Sequence, residues 1–254
     1  MNTLNQTRRN KIVELLEEKG ALTNDDMMSE FGISIETVRR DLDYLEKRGL
    51  LERVYGGAIK RKFMSVEPNY VSREKKNEKE KLAVATKAVE FVSDNDTVFF
   101  DIGTTVLYLA SAIANKNING FTNSLRTAIA ISENGGKVNI PGGELRSGEY
   151  ALSGSIAEEN MKRFNIDKAF IGVGGITESG ITDFISDEAC LRKQVIDNAD
   201  KVIALCDYSK FGVRAMCNVC KITDIDVLIT DDKAPKKILK EIEKQGVKVV
   251  VVKA

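Results

Sequence analysis

The 254-residue chain contains no histidine. That absence removes Ser-His-Asp and Cys-His catalysis together with every histidine-bearing metal site, so an enzyme built on it would have to work with carboxylates or lysines. Net charge is absent too, with 38 basic and 38 acidic residues, so bulk electrostatics gives no reason to expect a polyanion partner and local arrangement must supply one. No run approaches the roughly 20 apolar residues of a membrane span, and the N-terminus MNTLNQTRRN lacks the apolar block of a signal peptide. A soluble, cytoplasmic protein with no membrane partner is the expectation. The four cysteines include a CxxC, Cys217 and Cys220, to which Cys190 and Cys206 could add thiolates for zinc or redox pairing. The ligand pairs are not both closely spaced, which favours reduced, partly buried thiols and no metal or cofactor.

With 43% apolar and 30% charged residues, the chain can build one large core or a small and a medium one. Its most informative stretch is residues 34–57. Ser34 is placed to cap a helix, and Val38, Leu42 and Leu45 fall at i, i+4 and i+7, one apolar stripe that needs a support. Glu36, Thr37, Arg40, Asp43 and Lys47 then face outward, and Arg39 flanks the stripe with its guanidinium free to reach out. Gly49 ends the helix, and Gly56-Gly57 allows a hairpin tip.

Upstream, residues 7–19 place Ile12, Leu15 and Leu16 on one helical face, with Arg8, Arg9 and Lys11 clustered at its start. Thr23 and Asp26 have capping-box spacing for a second helix that turns inward Met27 and Phe31, and Gly32 turns the chain into Ser34. Helix, helix, glycine turn, helix and hairpin is the winged helix-turn-helix order, in which the last helix enters a major groove about 12 Å wide.

The stretch GISIETVRRDLDYLEKRGLLERVYGGA resembles the DeoR family of transcriptional regulators, and the likeness runs from Arg8 to Ala58. Tyr55 stands where that family usually has histidine, and Glu30 where a leucine often packs. Motif context, more than charge, then turns the Arg39-Arg40 pair from a solvated face into a DNA contact, because residues 1–62 carry nearly equal numbers of acids and bases. Thr37 and Arg40 are expected to read base edges, while Arg39, Arg53 and the Gly56-Gly57 backbone hold phosphates, with Ser34, Glu36, Lys47 and Tyr55 at the same surface. A single small module buries only about 600–1,000 Å² on DNA, which points to a dimer or tetramer on double-stranded operator DNA.

Residues 63–80 are charged, contain Pro68 and show no sustained period, which reads as a linker. Beyond it, residues 81–254 alternate helical segments with apolar strands near 97–101, 137–140, 168–173, 201–206, 226–230 and 247–252, the pattern of an α/β domain on a largely parallel sheet. Ligands of such sheets lie at the carboxyl ends of strands. Those ends carry Asp101, Gly103, Thr104 and Thr105 opening a helix; Asn123 and Ser124; Gly142 and Gly143 with Arg146; Asp187 and Glu188 opening another helix; and Lys210. A cation and an anion-friendly helix start suit a phosphate, and Asn123 with the carboxylates suits hydroxyls, so a phosphosugar fits. No Walker or complete dinucleotide fingerprint is present.

The resemblance continues through DIGTT, TNS, GGELR, DEACLRK and DYSKFG to about Asp231. It implies an effector domain similar in fold to sugar-phosphate isomerases and coenzyme A transferases, with phosphosugar sensing through the glycine-threonine loop, Glu188 and Lys210. The expected function is sequence-specific DNA binding, as a repressor of sugar-metabolism genes controlled by a phosphorylated sugar. The alternative is a sugar-phosphate isomerase tethered to DNA, with Glu188 as base and Lys210 as electrostatic partner.

Overall fold

The computed structural model describes residues 3–47, 50–59, 67–113 and 116–254. Two compact units divide the chain, Met1–Val66 and Glu67–Ala254. The first contains α1 (Thr3–Lys19), β1 (Ala21–Thr23), α2 (Asn24–Phe31), α3 (Ile35–Lys47), β2 (Glu52–Val54) and β3 (Gly57–Ile59). The capping box of α2 forms as its spacing predicts: Asp26 N–H donates to Thr23 Oγ1 at 3.1 Å, and Thr23 N–H to Asp26 Oδ2 at 2.9 Å. Gly32 closes the helix in the left-handed region, and Ser34 Oγ then accepts from Thr37 N–H at 3.4 Å to start α3.

Val38, Leu42 and Leu45 are buried as a stripe, against Ile12 and Leu16 of α1, Met27 of α2, and Leu22, Leu51 and Ala58. Truncating one of them, Leu42→Ala, would cost about 2–5 kcal/mol in so small a core. The strand β1 was not expected. It pairs antiparallel with β3, so the wing is a three-stranded sheet in the order β1-β3-β2. Gly49, expected to end α3, lies outside the described residues, as do the Lys47 side chain and residues 60–66.

The second unit opens with α4 (Tyr70–Lys75), which corrects the reading of residues 63–80 as linker from Glu67 onward. Asn69 Oδ1 caps this helix by accepting from Ser72 N–H at 2.9 Å, Tyr70 is buried, and Lys81 donates to the Arg73 and Glu74 carbonyls at its far end. Burial pushes the Lys81 ammonium down to about 8. Then follow α5 (Glu78–Ala88), β4 (Thr97–Phe100), α6 (Thr104–Ala112), β5 (Asn119–Thr122), α7 (Leu125–Glu133) and β6 (Val138–Asn139). A hairpin, β7 (Glu144–Arg146) and β8 (Ala151–Ser153), leads to α8 (Ser155–Met161) and β9 (Lys168–Ile171). After β10 (Gly175–Thr177), β11 (Gly180–Asp183) and α9 (Ser186–Asp197) come β12 (Val202–Leu205), β13 (Cys217–Lys221), β14 (Val227–Asp231), α10 (Lys236–Lys244) and β15 (Lys248–Val252).

Seven strands form a parallel sheet in the order β15-β14-β12-β9-β4-β5-β6. Alternation along the strands serves two cores. Phe99, Ala169, Ile171, Val202 and Ala204 face one, with Met161, Leu191 and Val195. Val98, Phe100, Phe170, Ile203 and Leu205 face the other, with Val84, Val106 and Leu109. Both faces are covered, as the period-2 side-chain geometry of a buried parallel sheet requires. The six expected strands are present; β5 and the two small antiparallel sheets, β7-β8 and β10-β11-β13, were not anticipated. Among the described residues no helix is long and apolar enough to cross a membrane.

The chain leaves β4 toward β5 on one side and returns to β9 on the other. That reversal makes the carboxyl ends of β4 and β9 the topological switch point, where open α/β sheets form a crevice.

Candidate functional site

In the first unit the basic residues fall into two sets. Arg8 and Arg9 each place Nε 2.6 Å from the buried Asp41, one on each carboxylate oxygen, and Arg9 also lies over the Tyr44 ring at 3.7 Å. They brace α3 from behind, as a support helix with a basic end would. Arg39 and Arg40 are exposed and make no ion pair with any described residue. Arg53 is intermediate: it is exposed but paired with Asp43, and its N–H donates to Glu46 Oε1 at 3.0 Å.

Thr37 is half-buried, its hydroxyl 3.3 Å from that of Ser34, which is spent on the helix start. The Glu36 carboxyl is held below its ordinary range by hydrogen bonds to its own backbone and to Ser34, so it folds back onto the helix end. Tyr55 is fully exposed at the wing tip beside Gly56. A Cβ on Gly57 would stand 2.1 Å from the Leu22 carbonyl, so glycine there lets β3 lie against β1.

In the second unit Asp101 ends β4 as expected, but its oxygens are not free for a ligand. They accept from Ile102 N–H at 2.8 Å, from Gly172 N–H at 3.1 Å and from Arg192 Nε. Arg192, fully enclosed, also pairs with Asp183. Burial alone would lower the Arg192 guanidinium, but Asp101 and Asp183 outweigh it and hold it charged. This buried triad ties β4, β9, β11 and α9 together, and it takes Asp101 out of the ligand set.

Above it runs a chain of ion pairs. Arg146 Nε donates to Glu188 Oε1 at 2.6 Å, and Arg146 Nη1 lies 3.0 Å from Glu67 Oε2. Arg73 Nη2 lies 3.0 Å from Glu67 Oε1 and also pairs with Glu149. Three carboxylates thus share two guanidinium groups, a local excess of negative charge that protonation relieves. Burial pushes the Glu188 carboxyl up to about 7 against the pull of Arg146, and burial likewise raises Glu67. Some hydrogen-bonding capacity remains unused. Arg146 Nη2, Arg73 Nε and Asn123 Oδ1 are buried without a described partner.

The other expected residues divide. Gly103 takes φ +156°, a conformation glycine favours, and starts α6 with no side-chain cap over the buried Thr104 and Thr105. Lys210, half-buried on the turn Tyr208–Lys210, makes no ion pair with any described residue; burial pushes its ammonium below the ordinary value, resisted by Asp207 and reinforced by Arg73. Ser124 is used as the cap of α7, accepting from Thr127 N–H at 3.3 Å. Gly142 and Gly143 carry the chain past β8 toward Arg146, and a Cβ on Gly143 would stand 2.4 Å from the Ser153 carbonyl. Asp187 is exposed and does not join the network.

Missed in the sequence were Glu67, Arg73, Glu149, Asp183 and Arg192. The first two sit in the stretch read as linker, where the Asn69-to-Ser72 capping interval was the available signal. The thiols are spread over three places, Cys190 on α9, Cys206 buried after β12, and Cys217 and Cys220 on β13, where burial raises Cys220 to about 12.

Residues 8–62 match the DeoR-like helix-turn-helix domain, and residues 76–232 match the DeoR C terminal sensor domain. The HTH-type transcriptional regulator GlpR of Haloferax volcanii is 38% identical over 245 residues, covering 96% of each chain. The glycerol-3-phosphate regulon repressor of Escherichia coli K12 is 32% identical over 241 residues, covering 93% of this chain and 95% of that one. A solved ribose 5-phosphate isomerase from Methanocaldococcus jannaschii is similar at 20% identity and TM-score 0.41, over 53% of this chain and 55% of that one. The helix-turn-helix and sensor matches, with relatives over nearly the whole length, place this chain in the DeoR family of DNA-binding transcriptional regulators.

Proposed function

We propose that the protein represses genes of sugar metabolism and that a phosphorylated sugar, bound at the β4–β9 switch point, sets its affinity for operator DNA. The observation that carries this reading is the set of buried, unpartnered groups in the site: Arg146 Nη2 and Arg73 Nε can donate to an anion, and Asn123 Oδ1 can accept from a hydroxyl. Lys210 and the uncapped start of α6 at Thr104-Thr105 add positive potential. One relative, the glycerol-3-phosphate regulon repressor, supports by its name a small phosphorylated polyol or sugar as the ligand class.

On the DNA side, Arg40 and Thr37 read bases and Arg39, Arg53 and the wing hold phosphates, with Lys47 at the end of the same helix. The free guanidinium groups of Arg39 and Arg40 support this reading, whereas Glu36 contributes through the helix start. Two or four copies act together in the cytoplasm, since one module buries too little DNA surface for tight specific binding.

One observation favours an enzyme instead: Glu188 is buried and pushed up to about 7, within reach of a general base. Its Oε1 already accepts from Arg146 at 2.6 Å, an anchored partner more than a mobile base. A thermal-shift screen of sugar phosphates against the full chain tests the sensor reading, since a ligand at a hundred times its Kd stabilises by about 2.7 kcal/mol. A phosphorylated sugar should raise the melting temperature and its unphosphorylated form should not; Thr105→Val and Lys210→Ala should abolish the rise. If both variants keep it, the site is misplaced, and turnover lost in Glu188→Ala would replace the sensor with the isomerase.

A further inference from the structure

Glu67 is the residue at which the second unit begins, and its carboxylate bridges the two site arginines, one oxygen 3.0 Å from Arg73 Nη2 and the other 3.0 Å from Arg146 Nη1. One oxygen on each of two guanidinium groups is the way an arginine clamp grips a phosphate. The other two carboxylates are differently placed. Glu188 is fixed in the first turn of α9, and Glu149 lies in the turn of the β7–β8 hairpin, each holding one guanidinium. Glu67 alone comes from irregular chain, ahead of the Asn69 cap of α4.

We infer that Glu67 is a built-in occupant of the clamp, a carboxylate standing where the ligand's phosphate binds. An arriving phosphate takes over its two contacts, adds the unused donors Arg73 Nε and Arg146 Nη2, and expels the carboxylate. The inference rests on the phosphosugar site proposed above and gives that site its regulation. A phosphate that takes both guanidinium groups competes with the carboxylates already on them, because like charges at such range repel strongly in a partly buried site. Glu67 is the member whose backbone is least fixed: no helix or hairpin holds it, and burial raises its carboxyl. Residues 1–66 form the DNA-binding unit and Glu67 is the first residue of the sensor unit. Exchange of Glu67 for a ligand anion therefore acts where the chain enters the sensor unit, and it supplies the differential binding that any effector needs to shift a conformational equilibrium.

The test is calorimetric titration of inorganic phosphate into the full chain and its Glu67→Gln and Lys210→Ala variants at matched ionic strength. Glu67→Gln keeps the shape and removes the competing charge, so it should bind phosphate about tenfold tighter than the wild type. Glu67→Ala should change affinity in the same direction, with thermal melting to verify its fold. If the wild type binds phosphate, Lys210→Ala loses it and Glu67→Gln leaves it unchanged or weaker, the occupant role is wrong while the site stands. If neither wild type nor Glu67→Gln binds phosphate, both readings fall.

Discussion

In the DNA-binding unit one carboxylate, Asp41, stands between two arginines; in the sensor unit Arg192 stands between two aspartates, and Arg73 and Arg146 are shared by three glutamates. The balance of charge has opposite sign in the two units although the chain is neutral overall. Asp41 is taken by Arg8 and Arg9, and Arg39 and Arg40 on the outward side of α3 make no ion pair with any described residue. In the sensor unit Arg73 and Arg146 are already engaged by carboxylates, with which an incoming anion would compete. The first arrangement suits a standing affinity for a polyanion, and the second a response that turns on only when the right anion arrives.

The largest expected effect comes from breaking the buried triad. Arg192→Met should leave Asp101 and Asp183 as unpaired buried carboxylates and destabilise the sensor unit by about 3–5 kcal/mol, read by urea unfolding. A loss below about 1 kcal/mol would mean that the triad is not the strut described. Next is a pH dependence. Because burial raises Glu188 to about 7 from an ordinary 4.5, the folded unit keeps a proton that the unfolded chain releases between those values. Its contribution to stability is therefore complete below about pH 4.5 and is lost as pH rises through 7, with a slope of at most about 1.4 kcal/mol per pH unit. Glu188→Gln should flatten that fall, and an identical profile in the variant would move the titration elsewhere.

Smaller effects separate the arginines of the first unit. Arg40→Ala should cost about 1–3 kcal/mol on operator and little on random duplex, whereas equal losses on both would make it a phosphate contact. Arg53→Ala, which removes an exposed pair with Asp43, should change the unit's thermal stability by less than about 1 kcal/mol.

Much of this was legible in the sequence where the cause is local. The Ser34 cap, the Val38-Leu42-Leu45 stripe and the Thr23-Asp26 capping box depend on neighbours three or four residues away, and all three form. Strand ends likewise pointed to Arg146 and Glu188, which the structure joins in one ion pair. What stayed hidden depends on distant partners. An aspartate ending a strand looks like a ligand until Arg192 is found on it, and the pairing of Arg8 and Arg9 with Asp41 spans 33 and 32 residues. Helix α4 has only six residues, too few to show a period, so Glu67 and Arg73 read as linker. The strand β1 has three residues and exists only because β3 pairs with it.

The account assigns reading of DNA to α3 and its control to the sensor site in the other unit. Fluorescence anisotropy on an operator selected from random duplexes, with and without a phosphorylated sugar that raises the melting temperature, tests this most directly. The sugar should shift the operator midpoint of the wild type, while Lys210→Ala should bind the same operator with unchanged affinity and show no shift. An equal shift in the wild type and Lys210→Ala would contradict the account.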